Sequence, residues 1–339
     1  MANMPLEKQN RTWFLLFLFS ASTLALAAGM LLSLKWGPAK VSWTALFEAL
    51  SYRNQGNIDL YIQTLRLPRT LAACIVGIQL ALAGLLTQLA TKNPLASPHV
   101  FGINAGASLA VVFGLVTFTG MPLLGSMALA FCGAAGGALL VWLLSGSEHK
   151  QYIRLALGGI AVHFLLSSFT ECMIIFNQYS TDSMMFWLVG SVSQAGWSQV
   201  QAVLPFFLGG LLLLLIMLPA FRLLLLEDDV AAGLGQRIGM VRAAGLIFVI
   251  VMAGSAVAIC GPIGFVCLIV PHIARALVGS RLTLLVPLTG LLGGALLVYA
   301  DVLSRMIAFP FESPVGIVTS AIGGPFFIYL ARKKGGAGR

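Results

Sequence analysis

Residues Arg222–Arg242, RLLLLEDDVAAGLGQRIGMVR, separate two long apolar runs and hold the chain's one acidic cluster, Glu227, Asp228 and Asp229. Asp228 or Asp229 suits the N-cap of a short helix, whose positive end favours acidic side chains. Val230, Leu234 and Ile238 recur every fourth residue and give that helix one apolar edge. Gly233 and Gly235 permit a sharp bend after about one turn. The stretch thus predicts a compact helix-turn element held toward water by apolar flanks. Two readings are open: a solvated loop whose charges set topology, or a dock for a soluble partner.

The flanks decide the fold class. Of 339 residues, 59% are hydrophobic and 9% charged, and the mean hydropathy is +0.95. Apolar segments recur from Trp13 to Leu330, each near the roughly 20 residues that cross about 30 Å of hydrocarbon. The expectation is an all-α polytopic helical membrane protein; a β-barrel would read as short alternating strands. Ten transmembrane helices are predicted, over 12–34, 68–90, 98–118, 122–145, 153–177, 199–221, 241–260, 262–279, 284–304 and 314–331. With both termini cytoplasmic, Lys35, Lys40, Arg53, Arg66, Arg69 and Arg305 fall outside and the other 14 of the 20 Lys and Arg inside. Residues 222–242 are then cytoplasmic. The net charge of +9 speaks of topology and anionic lipid, and no basic, aromatic-interleaved patch points to nucleic acid.

Met1–Leu34 has some features of a signal peptide, with Lys8, Arg11 and an Ala25-Leu26-Ala27 cleavage pattern. Its apolar run continues through Leu34, however, and predicts a retained first helix. The five cysteines lie in apolar runs without a C-x-x-C pair and read as small core residues. Four scattered histidines make no ligand constellation, so neither a metal nor a cofactor is expected on this chain.

Along the chain, Trp43, Leu46, Phe47 and Leu50 predict an amphipathic helix in the outer interface. Arg66 and Arg69 bracket Pro68 at the mouth of the next helix, in which Gly77, Ala81 and Gly84 form a close-packing face. Pro94 stops that helix, and Ser97 and Pro98 suit N-cap and N1 of its successor. There Gly102, Gly106 and Ala107 make a second tight face, with Asn104 available for an interhelical hydrogen bond. Glu171 stands beside Ser167, Ser168 and Thr170 in an apolar run. An intramembrane carboxylate is expected to face a cavity or the bundle interior. Asn104, Gly106, Ser167 and Glu171 are therefore candidates for a translocation pathway or for helix packing.

The segment Tyr179–Ser198 has no Lys or Arg. Its Trp187 and Trp197 suit an interface, and Met184–Val189 predicts a short helix. Met184 and Met185 read as adaptable packing rather than iron ligands. Gly261-Pro262 and Pro271 interrupt the helical pattern, with His272 a packed or interfacial histidine at the break. Asp301 and Arg305 share one helical face and can pair.

The words Arg66-Leu67-Pro68-Arg69, Asn93-Pro94-Leu95-Ala96-Ser97-Pro98, Gly102-Ile103-Asn104-Ala105-Gly106-Ala107, Gly261-Pro262-Ile263-Gly264-Phe265, Val270-Pro271-His272-Ile273-Ala274-Arg275 and Pro314-Val315-Gly316 occur in this order. Together with Ala300-Asp301 and Arg305 they resemble the permease family of bacterial ABC importers for iron chelates, haem and cobalamin. The resemblance implies a ten-helix permease domain spanning 1–339 in the bacterial cytoplasmic membrane. It also implies that Glu227, Asp228, Asp229, Ala231, Gly233, Leu234 and Gly235 form a coupling loop in a cleft of the ATPase subunit. Such loops commonly carry glycine where this chain has Glu227. Arg66, Arg69 and Arg305 correspond to a basic rim for an extracytoplasmic substrate-binding protein. The implied partners are two ATPase subunits, that binding protein and a second permease, identical or sister. This chain has no G-x-x-x-x-G-K-[ST] loop, so ATP is expected to be used by the partner and the chain itself to be no enzyme. An iron–siderophore is the expected cargo, with haem, ferric citrate and cobalamin open. An ion-coupled carrier using Glu171 is the alternative.

Overall fold

One helix, Leu67–Ala90, lies at the centre of the bundle. The computed structural model describes residues 4–37, 41–51, 56–118, 120–145, 151–177, 187–309 and 311–335. In chain order it has α1 (Met4–Lys35), α2 (Trp43–Leu50), α3 (Asn57–Tyr61), a π-helical turn (Ile62–Arg66), α4 (Leu67–Ala90), a 3₁₀ turn (Pro98–Phe101), α5 (Ile103–Thr117), α6 (Leu123–Ser145) and α7 (Gln151–Phe176). Then come α8 (Trp197–Leu223), α9 (Asp228–Gly233), α10 (Ile238–Cys260), α11 (Val266–Val278), α12 (Leu282–Ile307) and α13 (Val315–Gly335).

The chain is an all-helical, multi-pass membrane protein. Among the described residues, seven helical stretches are long and apolar enough to cross a membrane, and Ile103–Thr117, Val266–Val278 and Val315–Leu330 are shorter apolar helices. The predicted ten are therefore unequal. At about 1.5 Å per residue, the 13-residue α11 reaches only about 20 Å.

Burial follows position. α4 packs against α10, α11 and α12, and its Leu80, Leu82, Leu85 and Leu86 are fully buried. α1 and α8 instead turn Phe17, Leu24, Leu212 and Leu215 outward. Hydrocarbon is the solvent in which such faces carry no penalty, so helix association relies on close fit rather than on apolar burial. Small residues supply that fit. A Cβ on Gly77 would run into the Gly293 carbonyl of α12, and one on Gly84 into the Cys267 carbonyl of α11. Gly106 and Gly133 meet likewise where α5 crosses α6. Gly106 thus serves helix packing.

Pro271 lies inside α11, which runs on through it; the expected break there does not occur. His272 is accordingly a mid-helix residue whose ring meets Phe326 edge-on at 6.0 Å. The expected mouth at Pro68 is also no helix start. The turn Ile62–Arg66 carries the helix back to Asn57, with Leu67 N–H donating to the Ile62 carbonyl. A π turn widens the ladder just before Pro68, which contributes no donor. The predicted span 98–118 splits at Gly102, whose φ of 67° joins the 3₁₀ turn to α5. Ser97 and Pro98 start that 3₁₀ turn, and Ser97 makes no side-chain cap.

The amphipathic α2 is present, capped by Ser42, whose hydroxyl accepts from Ala45 N–H at 3.2 Å. Met184 and Met185 lie outside the described residues, as does the first half of the helix expected over Met184–Val189. From Trp187 the chain passes Gly190, whose carbonyl accepts from Gly316 N–H at 3.0 Å, while Ser191 N–H donates to the Cys260 carbonyl at 2.8 Å. This segment joins the ends of α10 and α13.

Candidate functional site

At one end of the bundle, α9 stands between α8 and α10. Glu227 is its N-cap, in extended conformation, and its carbonyl accepts from Ala231 N–H at 2.9 Å. Neither aspartate caps; they occupy the first turn, where the helix dipole still favours them. Asp228 lies 2.7 Å from Lys92 Nζ at the end of α4 and 2.9 Å from Arg242 Nη2 on α10. Partial burial works against its ionisation, yet the two cations hold its carboxyl below the usual carboxylate range.

The helix closes on Gly235 alone. Gly235 has φ of 82°, Gln236 N–H reaches the Ala231 carbonyl at 3.2 Å and Gly235 N–H the Ala232 carbonyl at 2.9 Å. This is a Schellman closure. Gly233 is helical, and a Cβ there would meet nothing within 4 Å. Of the predicted residues, Glu227, Asp229, Gly233, Leu234 and Gly235 face outward, while Ala231 turns inward and Asp228 is half-buried. Val230 and Leu234, at 51% and 64% exposure, leave an apolar edge uncovered.

The ion pairs of Asp228 are half-exposed, so each is worth about 0.2–1 kcal/mol. Asp228→Asn is accordingly expected to speed amide exchange in α9 by roughly two- to fivefold at neutral pH. The depressed carboxyl keeps this contribution above the ordinary carboxylate pKa and loses it only as pH falls through the lowered value. Unchanged exchange would mean that the pairs do not hold α9.

At the opposite end lie the three arginines. Arg66, Arg69 and Arg305 are 2%, 7% and 4% exposed. Arg69 donates Nε and Nη2 to Asp301 Oδ1 at 3.0 and 2.8 Å, and Nη1 to Glu312 Oε2 at 2.6 Å. Arg305 donates to Asp301 Oδ2 and reaches the Ser33 carbonyl at 2.9 Å and Ser33 Oγ at 2.7 Å. Arg66 donates to the Leu34 and Lys35 carbonyls at 2.7 and 2.8 Å. The expected basic rim is therefore not formed; the three side chains point inward. The reason is that α1 ends at Lys35, where its last carbonyls lack helical donors and favour cations. Asp301, 0% exposed, draws the other two. The sequence pairing of Asp301 with Arg305 is present, with Arg69 added from 232 residues away.

Between the ends, a cavity of about 630 Å³ is lined by His99, Asn104, His163, Ser167, Thr170 and Glu171, with Leu188, Val189, Phe265 and Ile317 among its apolar wall. Asn104 Nδ2 lies 3.3 Å from His99 Nε2. Its partner is thus the preceding 3₁₀ turn and not another helix. His163, Ser167 and Glu171 follow at every fourth position of α7, which puts them on one face. The same spacing marks His163 in the sequence. The His99 and His163 rings stand 6.1 Å apart, edge to face. Asn104, Ser167 and Glu171 are thus brought together, and Gly106 is not among them.

Comparison with known proteins gives one answer. The permease YfmD of the Fe(3+)-citrate import system of Bacillus subtilis is 44% identical over 94% of this chain and 95% of its own. The probable siderophore transport permease YfiZ of the same organism is 38% identical over 89% and 91%. A solved inward-facing structure described as a metal-chelate type ABC transporter superposes with a TM-score of 0.81, at 29% identity over 93% of this chain and 98% of that one. Nothing in them supports an ion-coupled carrier. With the family model of FecCD transport matching residues 25–333, across both ends and the cavity between them, the chain belongs to the FecCD transport family.

Proposed function

We propose that this chain is the permease subunit of an ABC importer that passes an iron–siderophore, or a related metal chelate, across the bacterial cytoplasmic membrane. A separate ATPase subunit docks on α9 and supplies the energy, so this chain is a conduit and no enzyme. The cavity on α5 and α7 is part of the pathway. A second permease, a copy or a sister, completes the pore, and an extracytoplasmic binding protein delivers the chelate at the Arg69 end. The arginines there act as anchors that fix the ends of α1, α4 and α12 beneath that surface. The observation that carries the reading is the uncovered apolar edge of α9, held out from the bundle yet tied to α4 through Lys92 and Asp228.

The test is Val230→Asp with Leu234→Asp. Both side chains are exposed, so the permease is expected to reach the membrane in normal amount. Loss of two central apolar contacts, at about 2 kcal/mol or more, is expected to weaken association with the ATPase subunit by at least about 30-fold and to stop uptake. Undiminished copurification and uptake would overturn the assignment of α9.

A further inference from the structure

We infer that the cavity selects its cargo by charge: it admits a neutral or cationic metal chelate carrying hydroxyl or N–H donors, and it disfavours polyanionic chelates. This rests on the reading of the cavity as pathway and adds the chemical class of what passes.

The first observation is Asn104, which is 2% exposed and lines the cavity. An amide nitrogen only donates, so His99 Nε2 accepts from it and that ring is neutral, with its proton on Nδ1. Asn104 Oδ1 is left buried without a partner. An orphaned buried acceptor is costly, and only a donor relieves it. The second is Glu171, an exposed wall carboxylate that makes no hydrogen bond or ion pair among the described residues. The third is the charge inventory. Among the described residues no Lys or Arg lines the cavity, and none occurs in the sequence between Lys92 and Lys150 or between Arg154 and Arg222. The three buried arginines are engaged elsewhere, on Asp301, Glu312 and the α1 carbonyls. A polyanion entering this space meets the Glu171 carboxylate and the Asn104 acceptor with no fixed cation to offset them, and only neutral donors from the serine hydroxyls and the histidine rings. A ligand rich in donors meets complementary groups.

The test uses the assembled permease–ATPase complex with exposed Cys132 and Cys172 replaced by Ser and a probe thiol introduced by Ser167→Cys. Labelling rates are measured with cationic, neutral and anionic methanethiosulfonates and divided by their rates on a free small thiol. The expected result is a cation-over-anion preference of about tenfold, from one charge acting at short range in a partly dry cavity, falling to within about twofold in Glu171→Gln. A neutral ferric trihydroxamate at millimolar concentration is expected to protect the thiol more than a trianionic ferric tricatecholate does. Entry of all three reagents without charge preference, a preference unmoved by Glu171→Gln, or no difference between the chelates overturns the inference and leaves the pathway reading standing. A thiol unreactive to all three reagents overturns both.

Discussion

Replacing Asp301 with alanine is expected to cost about 3–5 kcal/mol, the penalty for leaving buried cations uncompensated. Both carboxylate oxygens are in use, Oδ1 by Arg69 and Oδ2 by Arg305, and the residue is 0% exposed. Against a total stability of about 5–15 kcal/mol, such a loss is expected to show as a steep drop in folded protein recovered from membranes and in its thermal midpoint in detergent. Asp301→Asn keeps one acceptor and the shape, so it is expected to fall between. Removing the charges together, as Arg69→Met, Asp301→Leu and Arg305→Met, is expected to recover much of the loss, because the desolvation penalty disappears with the ions. Asp301→Ala with unchanged yield and midpoint would mean that the cluster does not hold α4 against α12.

The second large effect is expected at Gly84. A Cβ there would overlap the Cys267 carbonyl, the one that residue 271 of α11, being proline, cannot serve as donor. With no i+4 N–H to receive, that carbonyl faces the α4 backbone, and glycine brings a Cα–H close enough to stand in as a weak donor. Overpacking generally costs about 1–3 kcal/mol, and here the obstacle is backbone, which cannot rotate aside. Gly84→Val is therefore expected to exceed that range and to prevent recovery of folded permease. Gly209→Ala on α8, where a Cβ meets nothing within 4 Å, is expected to be silent. Equal recovery of the two variants would rule out the α4–α11 contact as drawn.

These two sites differ in how far the sequence exposes them. The close-packing face of Gly77, Ala81 and Gly84 is legible because small residues recur on one helical face. Its partner is not, since nothing local says that Gly84 meets Cys267, 183 positions on. The arginines show the sharper limit. The family resemblance implied a rim of Arg66, Arg69 and Arg305, and charged side chains flanking an apolar run are ordinarily expected in water. The ends of α1 and α12 brought unpaired carbonyls and a buried carboxylate within reach, and those acceptors turned the side chains inward.

The amino-acid sequence by itself determined that the chain crosses a membrane repeatedly, where most helices run, and that a short acidic helix with an apolar edge interrupts them. Hydrocarbon imposes the same length and polarity requirement on every span, so each can be read without knowing its neighbours. The passage of α11 through Pro271, the meeting of His99 with His163 and the addition of Arg69 to the Asp301–Arg305 pair were decided only by the tertiary structure. The ion cluster depends on which polar groups helix packing brings within about 3 Å of one another, and the histidine contact on how α7 packs against the 3₁₀ turn; both are set by the assembled bundle and by no local pattern.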